Sequence, residues 1–199
     1  MEFFIAIALY VLPSSITPGP NNLMILSSGL NHGIRKTLPH YLGVITGFPL
    51  MIIGIGLGLS TLFTSYPILH VVIKYTGFAY LCFMAYKIAK SNSGSLASEK
   101  VEPFTYLQAT LFQWVNPKAW VMGVTAVSTY TTHGNAFISE VITIALTYMI
   151  LGGSCVAVWL FGGALLTGLF KEQKHLVLFN YSMAIFLVLS LVPVFFLSE

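Results

Sequence analysis

The 199-residue sequence is too apolar for a soluble globular protein, since only 8% of its residues are charged and 56% are hydrophobic. The mean hydropathy is +0.84. The net charge of +3 does not indicate a nucleic-acid surface, because the basic residues lie in short loops between apolar segments. The composition therefore predicts an integral membrane protein.

Six apolar segments follow one another along the chain. Each is long enough to cross about 30 Å of hydrocarbon as a helix of roughly 20 residues. They are residues 3–30, 38–64, 67–89, 104–132, 137–168 and 175–197. No basic region or small-residue cleavage site precedes the polar cluster in the first segment, so we expect a retained span and not a signal peptide. The sequence thus predicts an all-α fold of six transmembrane helices.

Basic residues mark alternate loops of this arrangement. The loops at 64–66 and 133–135 contain no lysine or arginine. Seven of the nine basic residues flank the other three loops, namely Arg35, Lys36, Lys87, Lys90, Lys100, Lys171 and Lys174. Because loops rich in lysine and arginine stay in the cytoplasm, both termini are predicted to lie outside.

The chain divides into two halves of three segments each. The polar stretch 91–103 separates them and opens with Ser91-Asn92-Ser93-Gly94-Ser95. An odd number of spans in each half inserts the second half upside down relative to the first, as in many secondary transporters. We therefore expect one transport domain over residues 1–199, with repeats at about 1–90 and 104–199 joined by a cytoplasmic linker.

The first and fourth segments are interrupted near their middles by proline-containing polar clusters. These read Thr17-Pro18-Gly19-Pro20-Asn21-Asn22 and Asn116-Pro117-Lys118. Proline removes a backbone donor and breaks a helix. A broken helix is tolerated in lipid only where its freed backbone groups line a cavity. We expect both breaks to face one substrate cavity, with Gly19 allowing backbone and ligand to approach closely. Two simple proline kinks remain the alternative.

Lys118 is costly at this depth, by on the order of 2.5–3.5 kcal/mol on insertion scales. None of the six glutamates lies at a matching depth. The lysine therefore bonds to backbone carbonyls, loses its proton, extends to an interface or binds a substrate anion. Binding an anion is favoured, because the N-termini of the two new half-helices also attract negative charge.

The predicted substrate-binding residues combine both clusters with one neighbouring amide. They are Thr17, Pro18, Gly19, Pro20, Asn21, Asn22, Gln113, Asn116, Pro117 and Lys118. Their neutral donors and acceptors suit a zwitterion, whereas the missing intramembrane acid disfavours a cationic substrate. No nucleotide-binding loop, catalytic triad or metal-ligand spacing occurs, so we expect no enzyme, cofactor or metal.

Other polar residues have simpler interpretations. Lys74 either extends to the outer interface or serves the transport pathway. The histidines at positions 40, 70 and 133 are predicted to be polar tips near an interface. Cys82 and Cys155 lie in apolar runs without a CxxC spacing and are predicted to be small buried hydrophobes.

These motifs resemble the LysE/RhtB family of bacterial amino-acid exporters along nearly the whole chain. Besides the two breaks, the resemblance rests on His32-Gly33-Ile34-Arg35, on Gly43 and Gly47, and on Gly77-Phe78-Ala79-Tyr80-Leu81. The stretch 123–129 and the Asn21-Asn22 pair look most like the branch that exports cysteine and O-acetylserine.

The resemblance implies a multi-pass exporter in the bacterial inner membrane that uses the proton gradient. Its substrates would be small neutral amino acids or derivatives, of the cysteine, O-acetylserine, homoserine or threonine type. The expected partners are this substrate and lipid, with no nucleic acid, and a homo-oligomer stays open. Two alternatives are a thiol-disulfide electron carrier using Cys82 and Cys155, and a passive channel for small solutes.

Overall fold

The computed structural model describes residues 2–59, 65–66, 68–90, 102–132, 134–166 and 173–189. Within these ranges the regular structure is entirely helical. The α-helices are α1 Glu2–Ile16, α2 Pro20–Gly54, α3 Ile68–Lys90, α4 Tyr106–Phe112, α5 Pro117–Tyr130, α6 Phe137–Thr147, α7 Gly153–Leu166 and α8 Gln173–Leu189. The predicted all-helical class is confirmed for these residues.

Each of the six predicted segments contains at least one helix. By length and composition, two helical stretches could cross a membrane: Pro20–Gly58, which includes the bend described below, and Phe137–Leu166. Glu2–Ile16 and Lys174–Leu189 are shorter apolar helices. Most of the predicted linker lies outside the described residues, and six crossings in two inverted repeats stay a prediction.

The first predicted loop, around Arg35 and Lys36, is reduced in the structure to a bend between two helices. Helix α2 continues through this stretch and bends at one residue, Gly33, whose φ is 75° and ψ is 173°. This backbone region is essentially restricted to glycine, because any Cβ would collide with the backbone. A single glycine therefore joins two helical arms, residues 20–32 and 34–54, without a loop.

Two π-helical turns interrupt matching segments of the two halves. Ile55–Leu59 follows α2 in the second segment, and Tyr148–Gly152 joins α6 to α7 in the fifth. Gly58 has a φ of 103° inside the first turn. Such turns often occur at functional sites, because they widen the helix and redirect its side chains. The turn at Tyr148 contributes to the cavity described below.

Buried apolar side chains form two clusters. One joins the first arm of α2 to α3, α4, α7 and α8, around Leu23, Leu81 and Leu160. The other joins the second arm to α1, α5 and α6, around Ile52 and Ile144. Both clusters contribute residues to one cavity between them.

Glycines bring the backbones together within this packing. A Cβ at Gly163 of α7 would overlap the carbonyl oxygen of Leu26, and one at Gly43 would overlap that of Tyr106. Small residues at these positions let the helices approach closely, as is typical of membrane helices.

Candidate functional site

The two proline clusters are distant in sequence but in direct contact. Nζ of Lys118 donates to the Thr17 carbonyl at 2.9 Å, to Thr17 Oγ1 at 2.9 Å and to the Pro18 carbonyl at 3.3 Å. Beside it, Nδ2 of Asn21 donates to Oε1 of Gln113 at 2.8 Å. The predicted approach of the two breaks is confirmed.

Both breaks arise from local capping chemistry. Helix α2 begins at Pro20, where proline's fixed φ suits a first helical position and its missing N–H costs nothing. The amides of Asn21 and Asn22 belong to the first turn, which has no carbonyl within the helix to bond to. Helix α5 begins at Pro117, and the Asn116 side chain accepts a hydrogen bond from the Lys118 amide at 3.1 Å.

The carbonyls at the end of α1 bond to side chains from other parts of the fold. Asn22 Nδ2 donates to the carbonyls of Ser15 at 2.7 Å and Thr17 at 2.9 Å. Trp159 Nε1 of α7 donates to the Ile16 carbonyl at 3.1 Å. Because an unsatisfied polar group in hydrocarbon costs several kcal/mol, these bonds are what allow a helix to end inside an apolar protein.

The contacts of Lys118 decide among the explanations for its presence. Extension to an interface is wrong, because its ammonium is held by the carbonyls of the first break. Bonding to carbonyls is therefore one role, and binding a substrate anion stays a prediction. A Cβ at Gly19 would lie 2.8 Å from Lys118 Cδ and 3.0 Å from Nζ. Gly19 therefore allows the Lys118 side chain to lie close to the backbone of the first break.

A partly open cavity, with about 520 Å³ of empty space including the solvent at its opening, adjoins the two breaks. Among its described lining residues, Lys118 is the one charged side chain. The lining comprises Ser14, Ser15, Gly19, Asn21, Asn22, Val44, Ile45, Phe48, Pro49, Asn116, Lys118, Ala119, Met122, Tyr148, Gly152, Gly153 and Val156.

Half of the predicted site residues line this cavity, and half support it. The lining residues are Gly19, Asn21, Asn22, Asn116 and Lys118. The supporting residues are Thr17, Pro18, Pro20, Gln113 and Pro117. The supporting residues start the two helices or bond to the lining side chains. Substrate binding by any of them stays a prediction.

Sequence reasoning missed the opposite wall of the cavity. Tyr148 is only 3% exposed, and its hydroxyl lies 3.4 Å from Ser14 Oγ. Its ring meets Phe48 edge-on, with 4.8 Å between the centroids. In the sequence, the adjacent hydroxyl-bearing residues Thr147 and Tyr148, near the middle of the fifth apolar segment, could have indicated this wall.

His40 is not the exposed polar tip that the sequence predicted, since its side chain is only 2% exposed. Both cysteines are free, and Cys155 is buried with Sγ 3.8 Å from the Leu12 carbonyl, consistent with a small buried hydrophobe. The predictions for Lys74, His70 and His133 fall on side chains outside the described part of the chain.

Comparisons with known proteins identify the family of this chain. The family model described as LysE type translocator matches residues 13–198. The chain is 29% identical over 188 residues to proteins named Cysteine/O-acetylserine efflux protein from Escherichia coli strain K12 and Shigella flexneri, covering 94% of each chain. No solved structure matches. Since the family model spans almost the whole chain, the protein belongs to the LysE type translocators and is a membrane transporter, not an enzyme.

Proposed function

We propose that this protein exports small neutral amino acids or their derivatives, of the cysteine, O-acetylserine, homoserine or threonine type, across the bacterial inner membrane. The observation that carries the proposal is a cavity with one ammonium, from Lys118, surrounded by neutral amides and hydroxyls. An ammonium and the first-turn amides of α2 attract a carboxylate. Oxygens of Asn21, Asn116 and Tyr148 can accept hydrogen bonds from a substrate amino group. The names of the relatives support the same substrate class.

In this proposal, Lys118 links substrate binding to the geometry of the first break. Its ammonium bonds to the Thr17 and Pro18 carbonyls, which lie at the negative end of α1. A substrate carboxylate entering the cavity competes with these carbonyls for the three ammonium protons. Loading and release of substrate would then loosen and restore the contact between the two halves, as alternating access requires.

We propose that the chain crosses the membrane six times in two inverted repeats, with both termini outside. Three observations support this arrangement: the alternation of basic loops, the pairing of the two breaks, and a π turn in the middle segment of each half. We also propose that protons drive the transport, as the family resemblance implies. A passive channel would equilibrate its solute without accumulating it. A thiol-disulfide carrier would require Cys82 and Cys155 to react with each other.

The test is transport of labelled L-cysteine into proteoliposomes under reducing conditions, with and without an imposed pH gradient. Uptake above the external concentration would exclude a channel. Lys118→Gln should lower uptake at least tenfold at equal protein content. Lys36→Gln is the matched control, because it also removes one lysine charge but lies on an exposed face of α2. We expect its uptake to stay within twofold of the unmodified protein.

Cysteamine isolates the carboxylate contact, because it is cysteine without that group. We expect cysteamine to compete poorly with L-cysteine in the unmodified protein. In Lys118→Gln, the competition constants of the two compounds should converge, because the partner of the carboxylate has been removed. Undiminished preference for L-cysteine in this variant would refute the role of Lys118, whatever its transport rate.

A further inference from the structure

A second cavity, of about 370 Å³ of empty space, lies beside the bend of α2. Ser27, Ser28 and Asn31 line it from the first arm of α2, His40 from the second, and Glu102 from the chain before α4. On the predicted topology this is the cytoplasmic side, since Arg35, Lys36 and the 91–103 linker belong there. The site proposed for substrate does not use these residues.

His40 is the unusual group in this cavity. Its side chain is 2% exposed, and neither ring nitrogen has a hydrogen-bond partner among the described residues. Its ring packs against Phe104, with centroids 5.0 Å apart. Leaving a buried polar group unpaired costs roughly 1–3 kcal/mol, so such a group in a folded protein calls for a functional explanation.

Within the part of the chain that the structure describes, few titratable or charged groups surround His40. Among the described lining residues, the other titratable groups are His32 on α2 and Glu102, which is exposed. Met84 and Ile88 of α3 and Phe104 add no charge. The nearby hydroxyls of Ser28 and Thr37 bond to each other at 2.9 Å. No described carboxylate or ammonium is hydrogen-bonded to the imidazole.

His40 is connected to the main cavity along its own helix. Val44, one helical turn further along the same arm, lines the cavity that holds Lys118. Four helical residues span about 6 Å along the axis, so the backbone of His40 is about one turn from this lining residue. Imidazole is the side chain that ordinarily changes charge near neutral pH. No carboxylate lies among the described residues lining the main cavity to take that role.

We propose that His40 is the proton-carrying residue that couples export to the proton gradient, exchanging its proton with the cytoplasm through the second cavity. This inference rests on the proposed function. In each cycle an imidazole nitrogen binds one proton that originates outside and releases it toward Glu102 and the cytoplasm. The proton is bound and released without any other bond changing.

Two assays on proteoliposomes separate coupling from transport. The first is exchange of labelled for unlabelled L-cysteine at equal pH, which needs no net proton movement. The second is accumulation of L-cysteine driven by an acidic lumen. His40→Gln should keep exchange within about twofold of the unmodified protein and lose at least tenfold in driven accumulation. His32→Gln, which alters another histidine of the same cavity, should keep both activities.

His40→Phe provides a second variant should the glutamine variant fold poorly. Phenylalanine preserves a ring against Phe104 and has no titratable nitrogen. A pH indicator in weakly buffered detergent solution follows proton release or uptake when L-cysteine is added. We expect this proton exchange in the unmodified protein and none in the folded variant. Both variants are first checked for a thermal midpoint close to that of the unmodified protein.

The possible results have distinct meanings. Normal pH-driven accumulation by a folded His40 variant would overturn the inference. Equal loss of exchange and accumulation would also overturn it, since His40 would then serve binding or structure. Absence of transport of L-cysteine, O-acetylserine, homoserine and threonine alike by the unmodified protein would instead refute the proposed function.

Discussion

Gly19→Ala tests whether the small residue between the two prolines exists to accommodate Lys118. The φ of Gly19 is −177°, an extended conformation that alanine adopts without strain. The added Cβ would lie 2.8 Å from Lys118 Cδ and 3.0 Å from Nζ. Ordinary carbon contacts lie at about 3.5–4.0 Å, so the lysine would have to move by several tenths of an ångström.

This displacement should weaken the bonds from Lys118 to the first break. A hydrogen bond to a charged group contributes about 1.5–3 kcal/mol. Losing one such bond should lower the thermal midpoint in detergent by roughly 3–12 °C, given about 2–4 °C per kcal/mol for a protein of this size. Uptake of L-cysteine should fall about tenfold or more, since about 1.4 kcal/mol corresponds to a factor of ten.

A double-mutant cycle identifies the cause. In a Lys118→Ala background, alanine at position 19 meets no lysine side chain, so Gly19→Ala should then leave the thermal midpoint unchanged. Gly162→Ala is the control, because its Cβ would meet only Leu26 Cδ1, at 3.8 Å. If Gly19→Ala lowered the midpoint equally with and without Lys118, the steric explanation would be refuted.

Two further predictions concern the fold and its orientation. Gly163→Ala should lower the thermal midpoint by the equivalent of about 1–3 kcal/mol or more, because its Cβ would overlap the Leu26 backbone and push α2 and α7 apart. The adjacent Gly162→Ala should leave the thermal midpoint unchanged, and equal midpoints for the two variants would contradict the packing described. An impermeant thiol reagent added to intact cells should label a Glu199→Cys variant but not a Ser93→Cys variant, because the linker is predicted to be cytoplasmic. The reverse labelling pattern would overturn the topology.

The sequence by itself determined the features that depend on local chemistry. Apolar length predicts membrane helices, and Pro18, Pro20 and Pro117 predict where two of them break, because proline blocks a helix whatever surrounds it. The polar character of the site followed as well, because Asn21, Asn22 and Asn116 stand beside those prolines. Sequence reasoning also singled out Lys118, because a lone lysine among apolar residues is costly.

The tertiary structure alone decided which groups meet. The sequence predicted that the two breaks approach each other, but the bonds from Lys118 to the carbonyls of Thr17 and Pro18 depend on how the two halves pack. His40 is buried because α2 bends at Gly33 without a loop, which brings its second arm against Phe104. Hydropathy and proline patterns report the preferences of one segment, whereas burial and hydrogen-bond partners depend on which other segments pack against it.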